Sequence, residues 1–193
     1  MSVKSKSKSK TLLIVILGLW LGIFLGVGVV IALVLGGVIG MDASSELDAP
    51  PLAKLENDTL ANDFDMENIQ GERVRLSDLR GKVVAVNFWA TWCGPCVQEM
   101  PMFQRYQDKY PNFVMISIDE EEGLPKVRDF IEKIGIRYQI LMDYNGKVSE
   151  KYKVFMLPTT FFIDENGMIR FRHIGVMTED QFQYYLRTLG VTQ

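Results

Sequence analysis

The sequence predicts an α/β domain that follows one membrane-spanning helix. Three observations predict this arrangement. No charged residue occurs over residues 11–40, a strand-like run at residues 82–89 leads into a Cys-X-X-Cys turn, and strand-like and amphipathic helical patterns alternate after it. The predicted parts are a basic tail over residues 1–10, an anchor over 11–40, a linker over 41–55 and the α/β domain over 56–193.

The apolar segment at residues 11–40 is long enough to cross a membrane as a helix. A helix of this length extends about 45 Å, against about 30 Å for the hydrocarbon core of a bilayer. The apolar region of a cleaved signal peptide has only about 7 to 15 residues, so we interpret the segment as an uncleaved signal anchor. Lysines precede the segment and acidic residues follow it, which predicts a cytoplasmic N-terminus and an extracytoplasmic domain in a single-pass cell-membrane protein.

Three glycines of the predicted anchor recur at every fourth position, at Gly18, Gly22 and Gly26. This spacing lets two helices approach closely and is compatible with a homodimer through the anchor. Glycine is common in membrane helices in general, so a monomer is the alternative.

The charge of the chain argues against a nucleic-acid partner. The formal net charge is −3 even with the tail lysines included, whereas binding of phosphate needs an excess of positive charge. The acidic run at residues 119–122 is interpreted as a solvated loop rather than a docking patch.

The order of elements within the domain follows from apolar spacing and turn residues. A short hairpin comes first, then the strand at residues 82–89 and a helix that begins at the cysteines. Residues 165–167, Glu-Asn-Gly, are typical of a hairpin turn, because Asn and Gly accept positive φ. Thr178 and Gln181 have capping-box spacing, which predicts the start of a final helix. The remaining predicted elements are strands at residues 113–118, 138–142, 160–164 and 168–174 and a helix at residues 125–134.

The two cysteines, Cys93 and Cys96, have the spacing of a redox couple. Cys93 is predicted at a helix N-terminus, where unpaired N–H groups and the helix dipole favour a thiolate and lower its pKa, so we expect it to be the nucleophile. Cys96 is the expected resolving thiol, and Gly94 and Pro95 suit a sharp strand-to-helix turn. The alternative is a zinc half-site, for which His173 is the one histidine in the sequence.

The segment at residues 86–96, VNFWATWCGPC, resembles the active-site strand and turn of the thioredoxin superfamily. The likeness runs from about residue 60 to the C-terminus and is greatest to the membrane-anchored TlpA/ResA branch. The resemblance implies a thioredoxin-like fold with an N-terminal hairpin and a central helix-strand insertion between residues 119 and 158.

The same resemblance implies a cis bond between Leu157 and Pro158 that faces the cysteines. Leu157 would then offer backbone hydrogen bonds to an extended substrate, Trp92 would shield Cys93, and Pro101 would bend the active-site helix. A trans proline in an ordinary turn is the alternative for Pro158.

One departure from thioredoxin affects the predicted chemistry. Asn87 stands where thioredoxin has a buried aspartate, and an amide cannot exchange a proton near neutral pH. Glu99 follows Cys96 by three residues and would share its helix face, as a glutamate does in the ResA branch, so it is the expected substitute. The alternative for Glu99 is a solvated surface carboxylate. The chain also lacks the glycine- and tyrosine-bearing segment associated with the dedicated cytochrome c maturation reductases.

The expected function is that of a membrane-tethered thiol-disulfide oxidoreductase that reduces client proteins. The family likeness implies protein disulfide substrates such as apocytochrome c or copper-site proteins, and a membrane electron-donor protein that resupplies reductant. No organic cofactor is expected. Two alternatives are a copper(I)-delivery module that uses the same thiols as soft ligands and a thiol peroxidase.

Overall fold

The computed structural model describes residues 53–192, with side chains from residue 59 onward. The predicted tail, the predicted anchor with its spaced glycines, and the linker up to residue 52 lie outside this range. Within residues 53–192, none of the helices combines the length and apolar character needed to cross a bilayer.

The described residues form eight strands, one 3-10 helix and four α-helices. The strands are β1 (Ala53–Leu60), β2 (Asp65–Glu67), β3 (Arg73–Arg75), β4 (Val83–Trp89), β5 (Phe113–Glu120), β6 (Gln139–Asp143), β7 (Thr159–Ile163) and β8 (Met168–Ile174). The 3-10 helix is Leu76–Leu79, and the α-helices are α1 (Gly94–Lys109), α2 (Leu124–Ile134), α3 (Lys147–Lys151) and α4 (Glu179–Thr188).

Strand β4 lies inside a six-stranded mixed sheet of order β1-β8-β7-β4-β5-β6. It pairs in parallel with β5 and antiparallel with β7, and every one of its residues is buried. This burial explains its nearly continuous apolar sequence, because an interior strand is covered on both faces. Strands β2 and β3 form a separate hairpin.

Alternate residues of β4 enter two different hydrophobic cores, one on each face of the sheet. Val83 and Ala85 join a core that contains residues of α1, α2 and α4. Val84 and Val86 join a second core with residues of the hairpin. The alternation follows from the two-residue period of a strand, and it makes the domain a three-layer structure around β4.

The predicted α/β thioredoxin-like arrangement is confirmed, and strands β4 to β8 and helix α2 match their predicted ranges to within two residues at each end. The capping box of Thr178 and Gln181 is present at the start of α4, and α1 continues through Pro101. The inserted pair α2 and β6 extends the sheet beyond β5, as the resemblance implied.

Two elements differ from the prediction. Strand β1 begins at Ala53, inside the segment that was predicted as linker, and it pairs antiparallel with β8. Its sequence, AKLENDTL, is polar because an edge strand with one neighbour needs no continuous apolar run. The short helix α3 was not predicted, since five residues are too few to show a helical period.

Candidate active site

The carboxyl end of β4 leads into a disulfide at the start of α1. Cys93 occupies the N-cap position, Cys96 lies in the first turn, and their sulfur atoms are bonded. The Cys93 Sγ accepts a hydrogen bond from the Cys96 backbone N–H at 3.3 Å. Gly94 and Pro95 fill the turn between them, where a proline costs no helical hydrogen bond. The predicted position of Cys93 at a helix N-terminus is therefore confirmed, and unpaired N–H groups there would favour a negative sulfur in the reduced form.

The two sulfur residues differ in their access to solvent. Cys93 is 5% exposed and Cys96 is fully buried at 0%. The accessible part of the disulfide pair therefore belongs to Cys93, and an incoming group reaches it first.

A loop before β7 lies beside this turn. The Leu157–Pro158 bond is cis, as the resemblance implied. Thr159, the next residue, pairs with Phe88 near the carboxyl end of β4, so the register brings Pro158 to the end of β4 where the cysteine turn begins. The Pro158 carbonyl accepts a hydrogen bond from the Gly175 N–H at 2.8 Å, which ties this loop to the segment after β8.

Exposed apolar side chains occur in the loops that flank the disulfide. Trp92 is 69% exposed, so the residue predicted to shield Cys93 presents most of its surface to solvent. Phe155 and Met156 precede the cis bond, Val176 follows β8, and all three are exposed. None of these three residues was predicted as part of the site, although two large apolar residues, adjacent in sequence and just before the predicted cis-proline, were a usable signal.

Glu99 is buried within α1, only 2% exposed, three residues after Cys96. Its Oε1 accepts a hydrogen bond from Asn87 Nδ2 at 3.2 Å and its Oε2 accepts one from the Met177 backbone N–H at 3.0 Å. Burial raises the pKa of Glu99 to about 8, although these two hydrogen bonds act in the opposite direction. The alternative of a solvated surface carboxylate is therefore wrong, because the side chain is enclosed.

A buried polar network fixes Asn87 beneath Glu99. The Asn87 amide nitrogen also donates to Thr160 Oγ1 at 3.0 Å, and its Oδ1 accepts from Ser117 Oγ at 3.2 Å. Ser117 Oγ in turn lies 3.3 Å from the Tyr138 hydroxyl. With both donor and acceptor atoms engaged, the Asn87 amide holds one orientation, with its nitrogen toward Glu99.

His173 lies in the core of the domain. It is buried on β8, with Nδ1 3.0 Å from the Tyr185 hydroxyl and Nε2 3.4 Å from the Val176 carbonyl. Burial lowers the pKa of His173. Among the residues with described side chains, no three His, Cys, Asp or Glu residues are grouped as metal ligands would be.

The acidic run at residues 119–122 is only in part the solvated loop that the sequence predicted, because Glu121 is exposed but Asp119 and Glu122 are not. Asp119 is fully buried at the end of β5, and the Glu122 carboxylate accepts hydrogen bonds from Thr91 in the cysteine turn. Asp119 directly follows the apolar strand predicted at residues 113–118, and this adjacency was the sequence signal for its burial. These acids therefore belong to the surroundings of the disulfide.

Comparison with known proteins gives a match to the AhpC/TSA family over residues 58–172. The thiol-disulfide oxidoreductase ResA of Oceanobacillus iheyensis is 39% identical over 141 residues, which are 69% of this chain and 72% of that protein. ResA of Bacillus anthracis is 32% identical over 159 residues, covering 81% of this chain and 91% of that protein.

Two solved structures share the fold. A protein described as the thiol:disulfide interchange protein DsbE from Chlorobium tepidum has a TM-score of 0.65 and 32% identity, over 71% of this chain and all of that one. StoA from Bacillus subtilis has a TM-score of 0.58 and 28% identity, over 66% of this chain and 98% of that one. The family match, the relatives and the shared fold together establish that the chain belongs to the AhpC/TSA family, as a thioredoxin-like thiol-disulfide oxidoreductase of the ResA type.

Proposed function

We propose that this protein is a membrane-tethered extracytoplasmic reductase of protein disulfides, and that Cys93 and Cys96 are its redox couple. The observation that carries the proposal is the Cys93–Cys96 disulfide at the N-terminus of α1, with the buried carboxyl of Glu99 one turn below it. Two thiols at this spacing can form and break an intramolecular disulfide, and two-step thiol-disulfide exchange requires this ability.

The reaction begins from the dithiol form. The Cys93 thiolate attacks one sulfur of a substrate disulfide, the substrate S–S bond breaks, and one substrate thiolate leaves and takes up a proton. The Cys96 thiolate then attacks the Cys93 sulfur of this mixed disulfide and releases the second substrate thiol. Two electrons have passed to the substrate, and the protein is left with the Cys93–Cys96 disulfide that the structure contains.

Glu99 is proposed as the proton acceptor for Cys96. The resolving thiol is fully buried and must lose its proton before it attacks. Asn87 cannot take that proton, while Glu99 has a pKa of about 8, raised by burial into the range useful for a general base near neutral pH.

The loops beside the disulfide are proposed to hold the substrate chain. The backbone of Leu157, next to the cis bond, would pair with an extended segment, and Trp92 would cover part of it. Several exposed apolar side chains in these loops favour a protein client over a small charged one. A client such as apocytochrome c or a copper-site protein fits this chemistry.

The location rests on the sequence of the N-terminal region. Its charge-free segment at residues 11–40, with lysines before it and acids after it, supports an anchor that leaves the domain outside. In an oxidising compartment the dithiol must be regenerated, so a membrane protein that donates electrons is the proposed partner. The glycines at positions 18, 22 and 26 support a homodimer of the anchor.

The activity is tested by offering the reduced protein three partners in parallel, namely a protein disulfide, hydrogen peroxide and copper(I). We expect one substrate disulfide to be reduced for each pair of thiols oxidised, with slower consumption of peroxide. Preferential consumption of peroxide would identify a thiol peroxidase instead. A stable copper(I) complex with little disulfide exchange would identify a metal-delivery module.

The topology is tested with a membrane-impermeant thiol reagent on intact cells that have first been reduced. We expect labelling of the chain, because its thiols would face outward. A variant with both Cys93 and Cys96 changed to Ser is the control, since the sequence has no other cysteine and this variant should stay unlabelled. Labelling that appears only after lysis would place the domain in the cytoplasm and overturn the orientation.

A further inference from the structure

Two carboxyl groups lie behind the cysteine turn and have no part in the exchange scheme. Asp119 is the next-to-last residue of β5, opposite Trp89 in the register, and it is fully buried. Glu122 follows in the loop to α2, and its backbone N–H donates to Asp119 Oδ1 at 3.2 Å. Asp119 Oδ2 has no hydrogen-bond partner among the described residues.

The Glu122 carboxylate binds the cysteine turn through both of its oxygen atoms. Oε2 accepts the Thr91 backbone N–H at 2.5 Å, and Oε1 accepts the Thr91 hydroxyl at 2.8 Å. Lys126 of α2 also contacts Oε1. The Glu122 side chain is only 7% exposed, so these are charge-assisted hydrogen bonds shielded from water. Thr91 is separated from Cys93 only by Trp92.

The two carboxyl groups differ in their titration. Burial is the main cause that raises the pKa of Asp119 to about 8, and the negative charge of Glu122 acts in the same direction. Burial also disfavours ionisation of Glu122, but hydrogen bonds from Lys126 and from both Thr91 groups outweigh it and lower the Glu122 pKa. Near neutral pH the pair therefore carries one proton, on Asp119, and one negative charge, on Glu122.

The charged neighbours of Asp119 are Glu122 and Lys126. The strand residues opposite it, Trp89 on β4 and Met142 on β6, do not titrate. Loss of the Asp119 proton would therefore create a second negative charge beside Glu122, opposed by a single lysine.

We propose that Glu122 is a positioning residue for thiol-disulfide exchange, which holds Thr91 and with it the Trp92–Cys93 segment, and that Asp119 stays protonated behind it so that no second negative charge disturbs this contact. The inference rests on the proposed function, in which Cys93 makes the first attack. Its consequence is that the capture step slows at alkaline pH, when Asp119 loses its proton and the two carboxylates repel each other.

The test isolates the capture step in a background with Cys96→Ser and Glu99→Gln, so that neither the resolving thiol nor Glu99 titrates. The probe is a small aromatic disulfide whose released thiol absorbs light, and the rate constant is corrected for the measured thiolate fraction.

Thr91→Val removes the hydroxyl donor without altering any charge, and Thr91→Ser retains the hydroxyl. We expect Thr91→Val to react about tenfold more slowly, because it loses one charge-assisted hydrogen bond. Thr91→Ser should recover most of the rate. Glu132→Gln, on the exposed face of α2, is the control for a change of surface charge and should react at the background rate.

The pH dependence tests the role of Asp119. In the same background we expect the corrected rate to fall above about pH 8, and Asp119→Asn to remove this fall, because the amide keeps the shape and cannot ionise.

Equal rates for the Thr91→Val and Thr91→Ser variants would overturn the role of Glu122. An alkaline fall that persists in Asp119→Asn, or is absent from the background protein, would overturn the role proposed for the Asp119 proton. If Asp119→Asn does not fold, the proposal is decided by the rates of the Thr91→Val and Thr91→Ser variants and by the presence or absence of the alkaline fall in the background protein. Failure of the background protein to form any mixed disulfide would instead contradict the proposed function itself.

Discussion

Replacement of Cys93 by Ser is expected to abolish formation of the mixed disulfide, whereas replacement of Cys96 by Ser is expected to trap it. The asymmetry follows from the structure, in which Cys93 holds the accessible part of the pair at the helix N-terminus and Cys96 is fully buried. A hydroxyl in place of the Cys93 thiol cannot attack a disulfide near neutral pH, so capture should fall below detection. The measurement is the amount of covalent complex with a protein disulfide on a non-reducing gel.

The same experiment contains its own control. Complexes trapped by the Cys96→Ser variant should dissociate on addition of a reducing agent, and the variant with both cysteines replaced should give none. If the Cys93→Ser variant captures substrate and the Cys96→Ser variant does not, the two cysteines have the opposite roles. The trapped complexes, isolated from cells, would also identify the client proteins.

Replacement of Glu99 by Gln is expected to slow resolution of the mixed disulfide by about a hundredfold, at the lower end of what a positioned general base contributes. Capture should stay nearly unchanged, because Cys93 makes that attack. In the parent protein the resolution rate should rise with pH through about 8, where Glu99 loses its proton and becomes able to accept one from Cys96. In Glu99→Gln the rate should follow only the ionisation of the thiol. Whole pH–rate curves, rather than one fitted pKa, are the measurement.

Asp108→Asn is the matched control for this substitution. Asp108 lies on the same helix, but its side chain is exposed and paired with Arg137, so the loss of its charge should leave the resolution rate unaltered. Superimposable pH–rate curves for Glu99→Gln and the parent protein would exclude Glu99 as the proton acceptor. The acceptor would then be water or a group of the substrate.

The sequence predicted the features that depend on neighbours along the chain. The position of Cys93 follows from a buried strand that ends four residues before it, and the start of α4 follows from Thr178 and Gln181. The cis bond before Pro158 came from the family resemblance. In each case a short stretch of sequence contains the determining residues.

Features that depend on contacts between distant residues were not predictable in this way. Glu99 accepts a hydrogen bond from Met177, 78 residues later in the chain, and Thr91 is held by Glu122 across 31 residues. Neither contact has a sequence pattern, because each depends on how segments that are far apart along the chain meet in the folded domain. Strand β1 was missed for a related reason, since its pairing partner β8 lies more than a hundred residues away.

The two buried carboxyl groups make folding of this domain a proton-consuming process. Glu99 and Asp119 both have folded-state pKa values of about 8, whereas in an unfolded chain they would ionise near their ordinary values of 4.5 and 3.8. Between these limits the folded domain binds up to two more protons than the unfolded chain does. The contribution of these two groups to the free energy of unfolding is therefore greatest in mild acid and declines as the pH rises toward 8, by as much as a few kcal/mol for each carboxyl. The groups that surround the disulfide thus reduce the stability of the domain at neutral pH, and the two apolar cores on either side of β4 compensate for that loss.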